Sequence, residues 1–172
     1  MRLIKYLVIL STVFLALGSC RKIEHLSPVP HIEFRSFAVF DTLDILGNHA
    51  KGGRLKLYFE DGDGNLGLNT PTGTQTDTTN IFFTLFRKTG GTMAPAPAND
   101  PLKPSSYRIP YMERLGQNKI IKGTISVTFL YLFYTPKDTI SYDFYIKDRD
   151  QNESNVASTG EIILSVNNIY TK

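Results

Sequence analysis

From residue 31 onward the chain alternates apolar and polar side chains, and the 3.6-residue period of a helix is absent. Residues 54–60 set Leu55, Leu57 and Phe59 against Lys56, Tyr58 and Glu60, the pattern of a strand with one buried face. Residues 120–131 gather Ile121, Ile125, Val127, Phe129 and Tyr131 on one side, and residues 139–147 do the same with Ile140, Tyr142, Phe144 and Ile146. Residues 31–40 alternate before turning apolar, 81–87 are apolar on both faces as in a central strand, and 156–166 supply a last strand. A short strand is expected at 107–112, with Pro110 marking it as an edge because proline has no N–H for a ladder. Seven strands parted by Gly, Pro and Asn/Asp turns predict an all-β Greek-key sandwich over residues 31–172. Two connections are long: 61–80, rich in Thr and Gly, and 88–106, which holds four prolines.

The sixth strand narrows the topology. Asp138 to Phe144 (DTISYDF) resembles the start of strand F in immunoglobulin-like domains, where a Tyr stands two residues before the position that carries Cys in antibodies. The resemblance implies a seven-stranded immunoglobulin-like arrangement in which Tyr142 makes the tyrosine corner and Phe144 replaces the missing disulfide. Other Greek-key sandwiches share the strand count.

Before the domain lies a different kind of sequence. Met1 to Lys5 is positively charged, and Tyr6 to Leu17 is twelve residues of apolar or small side chains. That run falls short of the roughly 20 residues a transmembrane helix needs and matches the core of a secretory signal. Leu17-Gly18-Ser19-Cys20 then resembles a bacterial lipobox, which implies cleavage after residue 19 and lipidation of Cys20, the one cysteine in the chain. Residues 20–30, with Pro28 and Pro30, read as a tether. The expected address is the outer membrane, lipid-anchored, on either its periplasmic or its exterior side. Net charge is +3, and without the leader 17 basic residues face 16 acidic ones, too even a balance for a nucleic-acid binder.

Two loops repeat one pattern. Asp61-Gly-Asp63-Gly-Asn65 follows the second strand and Asp148-Arg-Asp150-Gln-Asn152 follows the sixth. In an immunoglobulin-like sandwich these loops emerge at the same end, where Asp61, Asp63, Asn65, Asp148, Asp150 and Asn152 would form an oxygen-only ligand set suited to Ca²⁺. A complete EF-hand is excluded, since Leu66 stands at its glycine position and Thr72 at its bidentate glutamate. Asp, Asn and Gly are also turn formers in their own right, so turn chemistry alone accounts for the same letters. Phe59 to Gly67 and Asp148 to Asn155, with Tyr107 to Ile125 (YRIP…GQNKIIKGTI), resemble uncharacterised Bacteroidetes-type outer-membrane lipoproteins that carry an F-x-DGDG-x-LG loop and a D-R-x-x-N-x-S-N hairpin. That resemblance implies an envelope address and an immunoglobulin-like sandwich, and no activity.

Catalytic constellations are missing from the sequence. His25, His31 and His49 never fall at metal or triad spacing, and no nucleophile elbow or phosphate-binding loop occurs. Asp61 and Asp63 are a carboxylate pair, but glycosidic chemistry also calls for sugar-stacking aromatics, and the chain has no Trp. The expectation is therefore a non-catalytic binding or assembly module that meets the membrane through its lipid and a protein or glycan elsewhere, its acidic loops holding either turn chemistry alone or, as the second reading, Ca²⁺. In the alternative it is a glycan-binding accessory lipoprotein with Tyr131, Phe133 and Tyr134 as the platform. The topology also predicts that the acidic loops lie toward the membrane and that the 88–106 loop points away.

Overall fold

The alternating segments become strands. The computed structural model describes residues 26–72, 79–113 and 119–172, so the leader and Cys20 lie outside the described residues. The strands are β1 (His31–Leu43), β2 (His49–Asp61), β3 (Ile81–Thr89), β4 (Thr92–Pro95), β5 (Ile121–Tyr131), β6 (Thr139–Ile146), β7 (Ala157–Ser158), β8 (Ile162–Ile163) and β9 (Asn168–Thr171). They form two antiparallel sheets, one in the order β5-β2-β1-β9 and the other β4-β3-β6-β7, with β8 also pairing to β6. Their apolar faces meet in a β-sandwich. No helix among the described residues is long and apolar enough to cross a membrane.

The core is aromatic. Phe37 and Phe129 from the first sheet stack at 5.9 Å, and Phe129 lies 5.5 Å from Tyr142 of the second. Phe83 meets Phe129 edge-on at 5.4 Å. Ile140, Tyr142, Phe144 and Ile146 are all fully buried, as their period of two requires. β1 reaches the same face by another route. Ile32 and Phe34 point inward, the register shifts between Phe34 and Ser36, and Phe37 and Val39 then point inward again. A bulge at Arg35 thus corrects the parity and explains why this segment alternates and then reads as an apolar run.

Several elements differ from the sequence expectation. Residues 107–112 form two isolated bridges instead of a strand, Tyr107 with Ile81 and Pro110 with Leu68. Proline cannot donate, so the second contact uses its neighbours: the Leu68 N–H donates to Ile109 and the Tyr111 N–H to Leu68, both at 2.9 Å. The segment expected as one last strand is split around Gly160 into β7 and β8. Between them the Thr159 hydroxyl oxygen accepts the Tyr142 N–H at 3.0 Å, standing in for a ladder carbonyl. β4 and β9 are additional. β4 follows a turn in which Gly90 and Gly91 both have positive φ, and β9 returns to pair with β1.

Tyr142 departs from its expected role. Its hydroxyl donates at 2.9 Å to the carbonyl of Leu102, 40 residues away in the proline-rich connection, and lies 3.1 Å from the Tyr131 hydroxyl. A tyrosine corner closes a turn a few residues upstream; this one ties a long loop across the core. Phe144 does fill the core two residues on.

Candidate functional site

β2 ends on Asp61 and β6 is followed by Asp148, and β1 begins opposite Glu60, so both acidic loops and the start of the domain share one pole. The loops touch. Asn65 Nδ2 donates to Asp150 Oδ2 at 2.8 Å, and the Arg149 Nη1 donates to the Gly67 carbonyl at 2.9 Å while its guanidinium lies 5.0 Å over the Tyr111 ring. Gly67 has φ +92°, and a Cβ there would come within 2.4 Å of the Pro110 carbonyl oxygen, so only glycine fits between loop and bridge. Leu66 is buried and its N–H donates to Asp61 Oδ2 at 2.9 Å.

The six predicted ligands divide into two groups. Asp148 is committed to its own hairpin: Oδ1 accepts the Asn152 N–H at 2.8 Å and Oδ2 accepts Asn152 Nδ2 at 2.7 Å. Asp150 supports Asn65. Asp148 and Asn152 thus perform turn chemistry, and Asp150 links the two loops. Asp61, Asp63 and Asn65 are placed differently. Asp61 is completely buried, and its Oδ1 and the Oδ1 of Asn65 are buried with no hydrogen-bond partner. Asp63 accepts from Asn65 Nδ2 at 3.1 Å and faces Asp61. Burial, opposed by the Leu66 N–H and reinforced by the facing Asp63 and Asp148 carboxylates, pushes the Asp61 carboxyl up to about 6. No group of three His, Cys, Asp or Glu side chains arranged to hold a metal occurs among the described residues. The trio here is two carboxylates and an amide.

Two contacts at this pole were not anticipated. The Gly62 N–H donates to the carbonyl of Ser27 in the tether at 2.9 Å. A Cβ on Gly62 would approach the carbonyl oxygens of Leu26 and Ser27 to 2.4 and 2.5 Å, so the tether lies directly on the loop. Asn155 holds the start of β1 like a strand partner, accepting the Ile32 N–H at 2.8 Å and donating to its carbonyl at 2.9 Å. Asn155 closes the D-R-x-x-N-x-S-N motif and was visible as such, but nothing in the letters says whom it pairs with.

The opposite pole is apolar. Leu43, Ile45 and Leu46 surround the β1–β2 turn, Leu132 and Phe133 leave β5, and Val166 precedes β9; all are exposed, Ile45 at 94% and Phe133 at 74%. An Asp44 cap, accepting the Leu46 and Asn48 N–H groups at 2.8 Å, fixes the turn that presents Ile45 and Leu46. Of the proposed sugar platform, Tyr131 is 2% exposed with its hydroxyl beside that of Tyr142, and Tyr134 packs partly against the core. Only Phe133 keeps an open face. A separate groove of about 350 Å³ runs between β5 and the 107–112 segment, lined by Ile81, Tyr107, Ile109, Met112, Ile125 and Val127.

Compared with known proteins, the chain matches no family model, no curated protein and no solved structure.

Proposed function

We propose that the chain is a lipid-anchored, non-catalytic binding module of the bacterial outer membrane, which stands on the bilayer by its acidic pole and offers its apolar pole to a protein partner. One observation carries this reading: the tether that leads from Cys20 docks on the acidic loop at Gly62, while Ile45, Leu46 and Phe133 are exposed at the other end. Residues 20–26 extend to at most about 25 Å. The 13 residues of β2 span about 40 Å at 3.3 Å each, so the apolar loops are held well clear of the anchoring membrane. Loop tips of this kind are expensive to leave in water unless they meet a partner.

The sandwich is, in this proposal, an immunoglobulin-like variant. β2 pairs with β5 and β3 with β6, as strands B–E and C–F do, and β4 takes the place of a C′ strand. The connection from β4 to β5 holds no regular strand among its described residues, and β9 returns to pair with β1.

Two measurements in cells test the reading. Cys20→Ser is expected to move the protein from the membrane to the soluble fraction. A photo-crosslinking residue at Ile45 or Phe133 is expected to give a discrete protein adduct, and one at Thr124, exposed on the body of β5, is not. Retention of the Cys20→Ser protein on membranes refutes the anchor; adducts at Thr124 and none at the apolar pole refute the docking face.

A further inference from the structure

We propose that Asp61, Asp63 and Asn65 form the protein half of a Ca²⁺ site at the pole where the tether docks. The argument starts from donors and acceptors. An ionised carboxylate and an amide oxygen only accept, so the three side chains bring acceptors together, and the Leu66 N–H and the Asn65 amide N–H₂ donate among them. Both donors are aimed at other oxygens: Leu66 at Asp61 Oδ2, Asn65 Nδ2 at Asp63 and Asp150 Oδ2. That leaves Asp61 Oδ1 and Asn65 Oδ1 buried without a partner, on residues that are 0% and 7% exposed.

Such atoms are costly in a dry site, and a cation that accepts both carboxylate and carbonyl oxygens satisfies them together. Ca²⁺ does so at variable geometry with six to eight oxygens, the remainder from water or backbone. Mg²⁺ demands near-octahedral ligands and keeps its waters, a poor match to oxygens already buried. Asp148 and Asp150 lie outside the ligand set because their oxygens hold Asn152 and Asn65; they position the loop.

The site sits astride the tether contact. Gly62 lies between Asp61 and Asp63 and donates to Ser27, so a cation that fixes residues 61–65 also fixes the chain leading to the lipid. Calcium thereby fixes where the tether leaves the domain, a consequence that bears on the membrane only through the lipid anchor proposed above. This proposal is independent of which partner the far pole binds.

The test is titration calorimetry and thermal melting of the full-length lipoprotein in detergent micelles, with Ca²⁺, Mg²⁺ or chelator. Extracellular calcium modules bind at 10⁻⁴–10⁻³ M, so about 10 mM Ca²⁺ is expected to raise the melting temperature by roughly 3–10 °C, with one ion bound per chain. Mg²⁺ is expected to give less than a third of that shift. Asp61→Asn is expected to abolish the Ca²⁺ response. Asn65→Asp, which keeps an oxygen and adds charge, is expected to melt lower than wild type in chelator and to show a larger Ca²⁺ shift. No Ca²⁺ response in the wild type overturns the proposal, since a proton shared by Asp61 and Asp63 then suffices. An undiminished response in Asp61→Asn, or a smaller one in Asn65→Asp, overturns it by placing the ion elsewhere.

Discussion

Replacing Arg87 by Met is expected to destabilise the domain by about 3 kcal/mol, because one guanidinium holds two buried carboxylates at once. Arg87 Nη1 lies 3.0 Å from Asp100 Oδ2, and Nη2 pairs with Asp138 Oδ1. The side chains of Asp100 and Asp138 are 4% and 8% exposed, and that of Arg87 is 30% exposed. Burial works against the charge on Arg87, and the two acids outweigh it and raise its pKa. Each acid also caps a turn: Asp100 Oδ1 accepts the Leu102 N–H at 2.9 Å and Asp138 Oδ2 accepts the Thr135 N–H at 2.6 Å. Removing the cation leaves two desolvated charges that cannot leave their turns. Breaking a buried pair costs about 3–5 kcal/mol; water reaching the Arg87 head places this case at the lower end. At 2–4 °C per kcal/mol for a domain of this size, the melting temperature falls by roughly 6–12 °C.

Urea denaturation of the full chain followed by circular dichroism measures the loss, with an unchanged slope showing that the compactness of both states is retained. Arg87→Lys is expected to recover less than half, since an ammonium reaches one carboxylate where the fork reaches two. Adding Asp100→Asn to Arg87→Met is expected to return about 1 kcal/mol or more, a coupling that exposed pairs do not show. A cost for Arg87→Met below about 0.5 kcal/mol would place the cluster among surface ion pairs and refute the reasoning.

Three further outcomes follow from the structure. Tyr142→Phe strands the buried Leu102 carbonyl and the Tyr131 hydroxyl, and is expected to cost about 1–3 kcal/mol in the same urea assay, whereas Tyr145→Phe, with no such pair, costs under 0.5. In chelator, Asp61 binds its proton more tightly in the folded state, with a pKa raised from 3.8 to about 6, so its contribution is complete below pH 3.8 and is lost as pH rises through 6. The loss is on the order of 3 kcal/mol at 1.36 per pK unit, read as the difference between wild type and Asp61→Asn from pH 4 to 7, and a flat difference refutes it. Gly62→Ala forces the Leu26 and Ser27 carbonyls away and is expected to speed proteolytic cutting of the tether several-fold while the core melts within a few degrees of wild type; an unchanged cutting rate refutes the docking contact.

The sandwich was legible wherever one face of a strand is buried and the other wet. β5 and β6 keep strict alternation, and their inward residues are those the period selects. Legibility failed where backbone geometry overrides the period. The bulge at Arg35 shifts the parity of β1, and Gly52 and Gly53 interrupt the apolar pattern at the start of β2, which runs from His49 where alternation is visible only from Arg54. The Thr159 side chain replaces a ladder bond and hides one continuous run behind two short strands. In the candidate site, the repeated D-x-D-x-N pattern marked both loops and the expected topology put them at one pole, yet identical letters do different work. Asp148 has an Asn152 donor on each oxygen, while Asp61 accepts from Leu66 on Oδ2 and keeps Oδ1 bare. That distinction depends on which N–H groups lie within reach after folding, and no spacing rule encodes it.

The two poles differ in how they are held. At the apolar pole the devices are permanent: the Asp44 cap, the Arg87 clamp with its two acids, and the Tyr142–Leu102 bond, all closed by groups the chain itself supplies. Loops fixed this way lose little entropy on meeting a partner, which favours a preorganised docking face. At the tether pole the bonding is unfinished, with Asp61 Oδ1 and Asn65 Oδ1 unpartnered in the loop whose Gly62 receives the tether. A rigid far end and an incompletely satisfied near end are what a module needs if its binding face is to remain constant while its stance on the membrane responds to an ion.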